Sequence, residues 1–218
     1  MKIVVIGGTG HIGGYLVPML VEDGHRVTVV SRDGSPKYRD DPAWQQVDKV
    51  ALDRTAEDAA GTFAGKIADL GPDVVVDMIC FTEDSARALV AGLTGRVRRL
   101  VHIGTIWVHG RLTEVPVTED AVRHPWGEYG TQKNAIEQYL LSQSRTGVPT
   151  AIVHPGHISG PGWPVINPQG DGEHRRLADA GPRRGVAAAG ARTGHPASRP
   201  RRGRRADRTA VHRPPRTG

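Results

Sequence analysis

Short apolar runs alternate with amphipathic segments along the first 153 residues of the chain. The runs are rich in Val and Ile, which is typical of strands buried on both faces of a parallel sheet. They predict six strands, at 2–6, 26–30, 47–52, 73–79, 99–103 and 150–153. The segments between them carry apolar residues at helical spacing and predict helices, at 11–23, 55–70, 82–93 and 128–144. This alternation predicts an α/β fold with a doubly wound, Rossmann-like parallel sheet.

A glycine-rich turn, GGTGHIG at residues 7–13, joins the first strand to the first helix. Gly7, Gly10 and Gly13 recur at every third position, where the chain must turn tightly, let a pyrophosphate approach the backbone, and pack a helix on the sheet. The free N–H groups of the first helical turn would then face phosphates. The turn therefore predicts a dinucleotide site, with contacts from Gly7, Thr9, Gly10, His11, Ile12 and Gly13.

The end of the second strand bears on the choice of cofactor. An acidic residue at this position holds the ribose 2′-hydroxyl of NAD, whereas an Arg favours the 2′-phosphate of NADP. Ser31 and Arg32 favour NADP, and the neighbouring Asp33 keeps NAD open. Asp53, after the third strand, is a candidate for the adenine amino group and equally a candidate helix N-cap.

Tyr129 and Lys133 lie four residues apart on a predicted helix and so share one face. An adjacent ammonium lowers the pKa of a phenol, so such a pair can exchange protons with a hydroxyl or carbonyl near neutral pH. Lys133 can also bind the nicotinamide ribose. Thr105 follows a predicted strand at its carboxyl end, where ligands of open α/β sheets bind.

In these motifs the chain resembles the extended short-chain dehydrogenases/reductases, the NAD-dependent epimerase/dehydratase group, over residues 1–168. The resemblance depends on GGTGHIG, Asp53, DVVVDMI, GTIWVHG, YGTQK and HPGHISGP, in that order. It implies that Thr105, Tyr129 and Lys133 match the family's catalytic Ser/Thr, Tyr and Lys. It also implies that hydride passes to or from a nicotinamide while the Tyr moves a proton. Members of the family act on nucleotide sugars, steroids, flavonoids or small carbonyl compounds.

The sequence departs from the family pattern at three places. His154 stands where the family usually has Arg, and Ser159 stands where it usually has an aromatic residue. The loop after the fourth strand reads Met-Ile-Cys-Phe, residues 78–81, instead of small residues. These departures bear on whether a nucleotide sugar is the substrate more than on whether the cofactor binds. Cys80, the single cysteine, is expected to be a small buried residue rather than a nucleophile. The histidines show no metal-binding spacing, and His157 is a candidate for the substrate pocket.

The net charge of +6 is unevenly distributed along the 218 residues. Residues 1–170 carry 16 basic and 19 acidic side chains, a net −3, whereas residues 171–218 carry 13 Arg and 4 acidic residues, a net +9. The last 48 residues contain no Ile, Phe, Tyr, Trp or Met. We therefore expect an NAD(P)-binding Rossmann domain at 1–168 and a disordered Arg/Pro/Gly/Ala-rich tail at 169–218.

This tail stands where the family has a substrate-binding lobe. A shift of reading frame is one explanation. If the third base of each codon is chosen freely, a shifted frame over residues 194–206, GHPASRPRRGRRA, can encode Ala-Thr-Leu-His-His-Val-His-Ala-Glu-Asp-Val-Ala. That segment resembles a V-H-V-x-D-V-A strand of the family. The expectation is that the usual C-terminal lobe is missing or replaced, which leaves open both an active and an inactive chain.

The leading functional hypothesis is an NAD(P)-dependent oxidoreductase, epimerase or dehydratase acting on a sugar or another hydroxyl or carbonyl compound. Two alternatives remain: a non-catalytic dinucleotide sensor, and nucleic-acid attraction through the Arg-rich tail. The tail has no interleaved aromatic residues, so specific nucleic-acid binding is not expected. A cytoplasmic location is expected, because one cysteine excludes a disulfide framework, the N-terminus is not a signal peptide, and no run reaches the roughly 20 apolar residues of a membrane helix. The resemblance also implies a possible homodimer through helices 82–93 and 128–144.

Overall fold

Six parallel strands form one sheet in the computed structural model, which describes residues 1–34, 36, 38–111 and 116–161. The strands are β1 (Lys2–Ile6), β2 (Arg26–Ser31), β3 (Asp48–Ala51), β4 (Val74–Asp77), β5 (Arg99–Ile103) and β6 (Thr150–Val153). They pair in the order β3-β2-β1-β4-β5-β6, and every pair is parallel. The predicted doubly wound α/β fold is therefore confirmed.

Five α-helices connect these strands: α1 (His11–Glu22), α2 (Arg54–Ala59), α3 (Phe63–Asp69), α4 (Glu83–Leu93) and α5 (Gly127–Gln143). Two short 3₁₀ helices, Pro42–Gln46 and Ile106–His109, follow β2 and β5. Strand order reverses between β1 and β4, so the crossovers on the two sides of this point place their helices on opposite faces of the sheet.

The alternation along β1 divides the core between the two faces. Val4 and Ile6 belong to the cluster that also contains Phe63 of α3, Leu89 of α4 and Ile136 of α5. Ile3 and Val5 point to the other face, where Val17 of α1 and Trp44 of the first 3₁₀ helix pack against them. Both faces of β1 are thus buried, which explains why this strand is apolar throughout.

The structure differs from the predicted elements in one helix. The single helix expected at 55–70 is two helices, because Gly61 adopts a φ of +67°, a conformation that ends α2. The first helix extends from His11 to Glu22 with Pro18 inside it.

Thr82 caps α4. Its side-chain oxygen accepts a hydrogen bond from the Ser85 backbone N–H at 3.3 Å. We expect Thr82→Ala to lower the free energy of unfolding by about 1 kcal/mol, because this N–H then loses its partner. Urea denaturation measures the loss. Thr82→Ser, which keeps the acceptor, should lie close to wild type, and equal losses in the two variants would contradict the cap.

The remaining sequence predictions on chain organisation fall outside the described residues. These are the proposed tail at 169–218 and the possible reading-frame shift within it. Among the helices that the structure describes, none combines the length and the apolar character that crossing a membrane requires.

Candidate functional site

The glycine-rich turn lies at the carboxyl end of β1, beside the point where strand order reverses. Gly7 has a φ of +80°, and its N–H donates to the Val30 carbonyl at 2.8 Å, which ties the turn to β2. A Cβ on Gly13 would lie 1.9 Å from the Gly8 carbonyl oxygen, so only glycine fits at this position. A Cβ on Gly10 would meet nothing closer than 3.5 Å. The turn is therefore tight on its inner side and open at Gly10.

A cleft of about 390 Å³ opens in front of this turn. Its lining comes from the ends of β1, β2, β3 and β4: Gly7, Thr9, Gly10, Ser31, Arg32, Asp33, Tyr38, Leu52, Asp53, Arg54, Thr55, Ile79 and Phe81. Ligands of open parallel sheets bind at this position, outside the carboxyl ends of the strands.

Five of the predicted cofactor residues line the cleft: Gly7, Thr9, Gly10, Arg32 and Asp53. The other predicted residues lie elsewhere. His11, Ile12 and Gly13 form the first turn of α1 behind the glycines, and His11 is buried between the rings of Tyr15 and Tyr38, each with its centroid 5.6 Å away. Lys133 projects from α5 and does not line this cleft.

Asp53 is the N-cap of α2 and also lines the cleft. Its carboxylate accepts from the Ala56 N–H at 3.2 Å. The residue is exposed and belongs to the lining of the cleft, and its contact with an adenine stays a prediction. At the end of β2, Ser31 accepts from the Gly34 N–H at 2.9 Å, which folds Arg32 and Asp33 toward the cleft.

Thr105 lies two residues beyond β5, with only 5% of its surface exposed. Its side-chain oxygen accepts from the Trp107 N–H at 3.3 Å and caps the 3₁₀ helix that follows. The hydroxyl hydrogen has no acceptor among the described residues. Thr105 can therefore still donate one hydrogen bond to an incoming oxygen atom.

Tyr129 and Lys133 lie one turn apart on α5 but in different environments. Tyr129 is 48% exposed, and its hydroxyl makes no hydrogen bond within the described part of the chain. Lys133 is 2% exposed; its ammonium donates to the carbonyls of Ile103 at 2.8 Å and Cys80 at 3.1 Å, and lies 3.2 Å from Nε2 of His102. Burial keeps the pKa of Lys133 below its ordinary value.

The three predicted catalytic residues share one region, although no hydrogen bond joins their side chains. Lys133 is anchored to Ile103, two residues before Thr105. A Cβ on Gly130, next to Tyr129, would lie 2.9 Å from the Trp107 carbonyl, so α5 packs closely on the segment that begins at Thr105. The helix and the loop after β5 are thereby held together at the carboxyl edge of the sheet.

A buried ion pair that the sequence did not predict lies at the end of β4. Nη1 of Arg54 donates to both carboxylate oxygens of Asp77, at 2.6 and 2.8 Å, and the two side chains are 7% and 2% exposed. Asp58 accepts from Nε of Arg54 at 3.3 Å. Burial alone raises the pKa of Asp77, but the Arg54 guanidinium outweighs it and holds that pKa below its usual value. Arg54 also lines the cleft, so its ion pair with Asp77 holds one of the lining side chains in place.

Glu137 forms a second buried cluster that the sequence did not predict. It is fully buried and accepts from Arg123 at 2.8 Å, and His154 lies 2.7 Å from the same oxygen. A Cβ on Gly104 would lie 2.3 Å from its other oxygen, so glycine is required there too. His154, the departure from the usual Arg, therefore meets Glu137. No local spacing predicts this contact, because Glu137 and His154 are 17 residues apart.

Cys80 is 1% exposed, and burial raises the pKa of its thiol to about 12, so the expectation of a small buried residue is confirmed.

His157 is exposed and lies outside the lining of the cleft. A further cleft, of about 680 Å³, lies beside β6 and contains none of the predicted site residues. Within the described ranges, no three His, Cys, Asp or Glu side chains are grouped to hold a metal ion.

Comparison with known sequences gives a match to the family model described as the NAD-dependent epimerase/dehydratase family, over residues 3–184. Two curated relatives extend this match. A 2′-dehydrokanamycin reductase of Streptomyces kanamyceticus is 31% identical over 153 residues, which is 70% of this chain and 41% of the relative. A UDP-glucose 4-epimerase of Corynebacterium glutamicum is 25% identical over 152 residues, which is 65% of this chain and 46% of the relative. The chain thus spans less than half the length of these relatives.

Comparison with solved structures gives a match to the UDP-glucuronic acid 4-epimerase from Bacillus cereus in complex with NAD. The TM-score is 0.60 at 20% identity, and the match covers 75% of this chain and 58% of the other. At this identity the likeness establishes the Rossmann-like fold, in agreement with the strand order described above.

Proposed function

The chain belongs to the NAD-dependent epimerase/dehydratase family, and on that premise we propose that it binds a nicotinamide dinucleotide and acts on a hydroxyl or carbonyl group of a sugar. The observation that carries the proposal is the cleft in front of the glycine-rich turn. Gly13 lets the first turn of α1 pack directly against the Gly8 backbone, and the space in front of Gly10 is open. The relatives named as a 2′-dehydrokanamycin reductase and as UDP-glucose 4-epimerases support a sugar substrate.

The residues that line the cleft fit the chemistry of a dinucleotide. The backbone N–H groups at the start of α1 suit a pyrophosphate, and the exposed carboxylate of Asp53 suits the adenine amino group. Arg32, exposed at the end of β2, favours a 2′-phosphate, so we propose NADP(H) as the preferred form, with NAD(H) as the alternative supported by Asp33. The bound nicotinamide would supply the hydride acceptor or donor.

The protein's own contribution is to hold and move protons at the substrate oxygen. Tyr129 is 48% exposed and its hydroxyl makes no hydrogen bond among the described residues, so it can exchange a proton with that oxygen. Thr105 can donate its unused hydroxyl hydrogen to the same atom. The ammonium of Lys133, one turn away on α5, would bind a hydroxyl of the nicotinamide ribose.

A non-catalytic sensor is the second candidate, and one observation favours it. All three donors of the Lys133 ammonium are engaged by the protein, on Cys80, Ile103 and His102, so Lys133 must exchange one partner before it can bind a ribose. Both candidates require dinucleotide binding, and they differ in turnover.

Replacement of Gly10 tests dinucleotide binding. We expect Gly10→Glu to weaken binding of NADPH and NADH by about a hundredfold or more, because the side chain enters the cleft and brings a negative charge toward the phosphates. Fluorescence titration of the reduced nucleotides measures it. Comparison of the two wild-type affinities tests the NADP preference.

Gly10→Ala is the matched control. Its Cβ meets nothing closer than 3.5 Å, so binding should stay within about threefold of wild type, a difference below 1 kcal/mol. Equal thermal stability of both variants would show that the loss is local. Saturable binding by Gly10→Glu at wild-type affinity would overturn the proposed site.

A further inference from the structure

Among the described residues, His102 is the only side chain within hydrogen-bonding distance of the Lys133 ammonium, which also lies 5.8 Å from the centroid of the Phe81 ring. The other two acceptors are the backbone carbonyls of Cys80 and Ile103, which follow from the fold itself and cannot be changed by substitution. His102 lies on β5 with 1% of its surface exposed, and its Nε2 is 3.2 Å from the ammonium nitrogen. His102 is therefore the position at which the sequence can adjust how Lys133 is held.

The contact defines the protonation state of the imidazole. An ammonium has three donors and no acceptor, so Nε2 must be bare and the proton of a neutral ring must lie on Nδ1. Burial and the neighbouring Lys133 ammonium lower the pKa of His102 to about 4, which keeps the ring neutral at physiological pH. The charged or titratable groups that face His102 and Lys133 are Arg54, Asp77, Cys80, Glu137 and His154.

We propose that His102 is a positioning residue for Lys133: its neutral imidazole accepts a hydrogen bond that keeps the lysine charged and aimed at the carboxyl edge of β4 and β5. The proposal rests on the function assigned to Lys133 above. A carboxylate at this position would hold the ammonium by a full opposite charge, and an aliphatic side chain would leave a buried donor without a partner. A neutral acceptor holds Lys133 while allowing it to exchange partners.

The wild-type protein provides the first test. In its ¹⁵N spectrum, the His102 ring should show a protonated Nδ1 and a bare Nε2, with no titration between pH 5 and 8, and His102→Gln identifies the signals. A proton on Nε2, or titration of His102 in this range, would overturn the proposal, since that nitrogen could not then accept from Lys133. This measurement requires neither cofactor nor substrate.

Two variants provide the second test. His102→Leu removes the acceptor at similar volume, and His102→Gln keeps a neutral acceptor. With ¹³C-labelled lysine, and Lys133→Met to assign the signal, the acid dissociation constant of Lys133 should rise about tenfold in His102→Leu. In His102→Gln it should stay within about threefold of wild type. Equal constants in all three proteins would overturn the proposal and leave His102 a space-filling residue.

Cofactor titrations of the same proteins separate this inference from the proposed function. Both the proposed function and the positioning role are supported if wild type binds NADPH or NADH, His102→Leu binds it more weakly at alkaline pH, and His102→Gln recovers the wild-type affinity. A wild type that binds neither nucleotide overturns the proposed function, while the Lys133 titration still decides the role of His102. Wild-type-like binding by His102→Leu across the pH range counts against the positioning role.

Discussion

Arg54→Leu is expected to lower the free energy of unfolding by about 3–5 kcal/mol, because it leaves a buried carboxylate without its counter-charge. Asp77 is 2% exposed and receives two hydrogen bonds from Arg54, and Asp58 would lose its contact with the same guanidinium. Urea denaturation at neutral pH measures the loss. Removal of both charges, in Arg54→Leu with Asp77→Leu, should restore most of it.

Arg26→Leu is the matched control for this prediction. Arg26 pairs with Asp48 at 3.2 Å, but the two side chains are 71% and 53% exposed, so its loss should stay below about 1 kcal/mol. Similar losses in Arg54→Leu and Arg26→Leu would contradict the importance of burial.

The pH dependence of the Arg54→Leu variant gives an independent check. In wild type, the folded pKa of Asp77 lies below its usual value, so the stabilisation is present above the unfolded pKa of about 3.9 and is lost as pH falls through the folded value. In the variant, burial is opposed only weakly, by the Ile79 N–H and His102, so the pKa of Asp77 rises. The variant's deficit is then largest at neutral and alkaline pH and shrinks on acidification, whereas a deficit independent of pH would indicate a packing defect.

Tyr129→Phe is expected to lower turnover by about 10²- to 10⁴-fold while cofactor affinity stays near wild type, because the substitution removes only the proton-exchanging hydroxyl. That hydroxyl makes no hydrogen bond within the described residues, and Tyr129 is 48% exposed, so the fold should not depend on it. Absorbance of the reduced nicotinamide, measured with a panel of keto sugars and UDP-sugars, reports the oxidoreductase reaction; epimer formation is followed by chromatography.

Tyr139→Phe is the control on the same helix. The Tyr139 ring lies under the Arg87 guanidinium at 4.3 Å and packs against the core, away from the predicted catalytic residues, so turnover should be unchanged. Loss of activity in both variants would indicate a general defect of α5. Cofactor binding by wild type without turnover on any member of the panel would favour the sensor.

The fold could be predicted to a large extent from local patterns. The apolar runs predicted all six strands. The inner strands are buried on both faces, as the opposite contacts of Val4 and Val5 show, whereas the edge strands β3 and β6 are partly exposed. The cap at Thr82 and the glycines of the first turn were predictable because their roles depend on neighbours in sequence. The break between α2 and α3 at Gly61 was not predictable. A glycine within a helical pattern is either tolerated inside the helix or ends it, and only the φ of +67° shows that Gly61 ends α2.

The residues of the candidate site also fall into a predictable and an unpredictable group. The cleft residues Gly7, Gly10, Arg32 and Asp53 were identified because they end the strands that a parallel sheet brings to one edge. Arg54 was missed because its partner, Asp77, is 23 residues away, and only the pairing of distant strands places the two charges in contact.

The amino-acid sequence alone predicts the alternation of strands and helices, the position of the glycine-rich turn and a Thr, Tyr and Lys at the spacing of the family. These features follow from local periodicity and from backbone requirements that neighbouring residues satisfy. Only the three-dimensional arrangement shows which ionisable groups are buried and which groups they contact: Asp77 contacts Arg54, Glu137 contacts His154, and Lys133 contacts His102. Such contacts join residues that are distant in sequence, and burial makes each charge require a partner that no local pattern reveals.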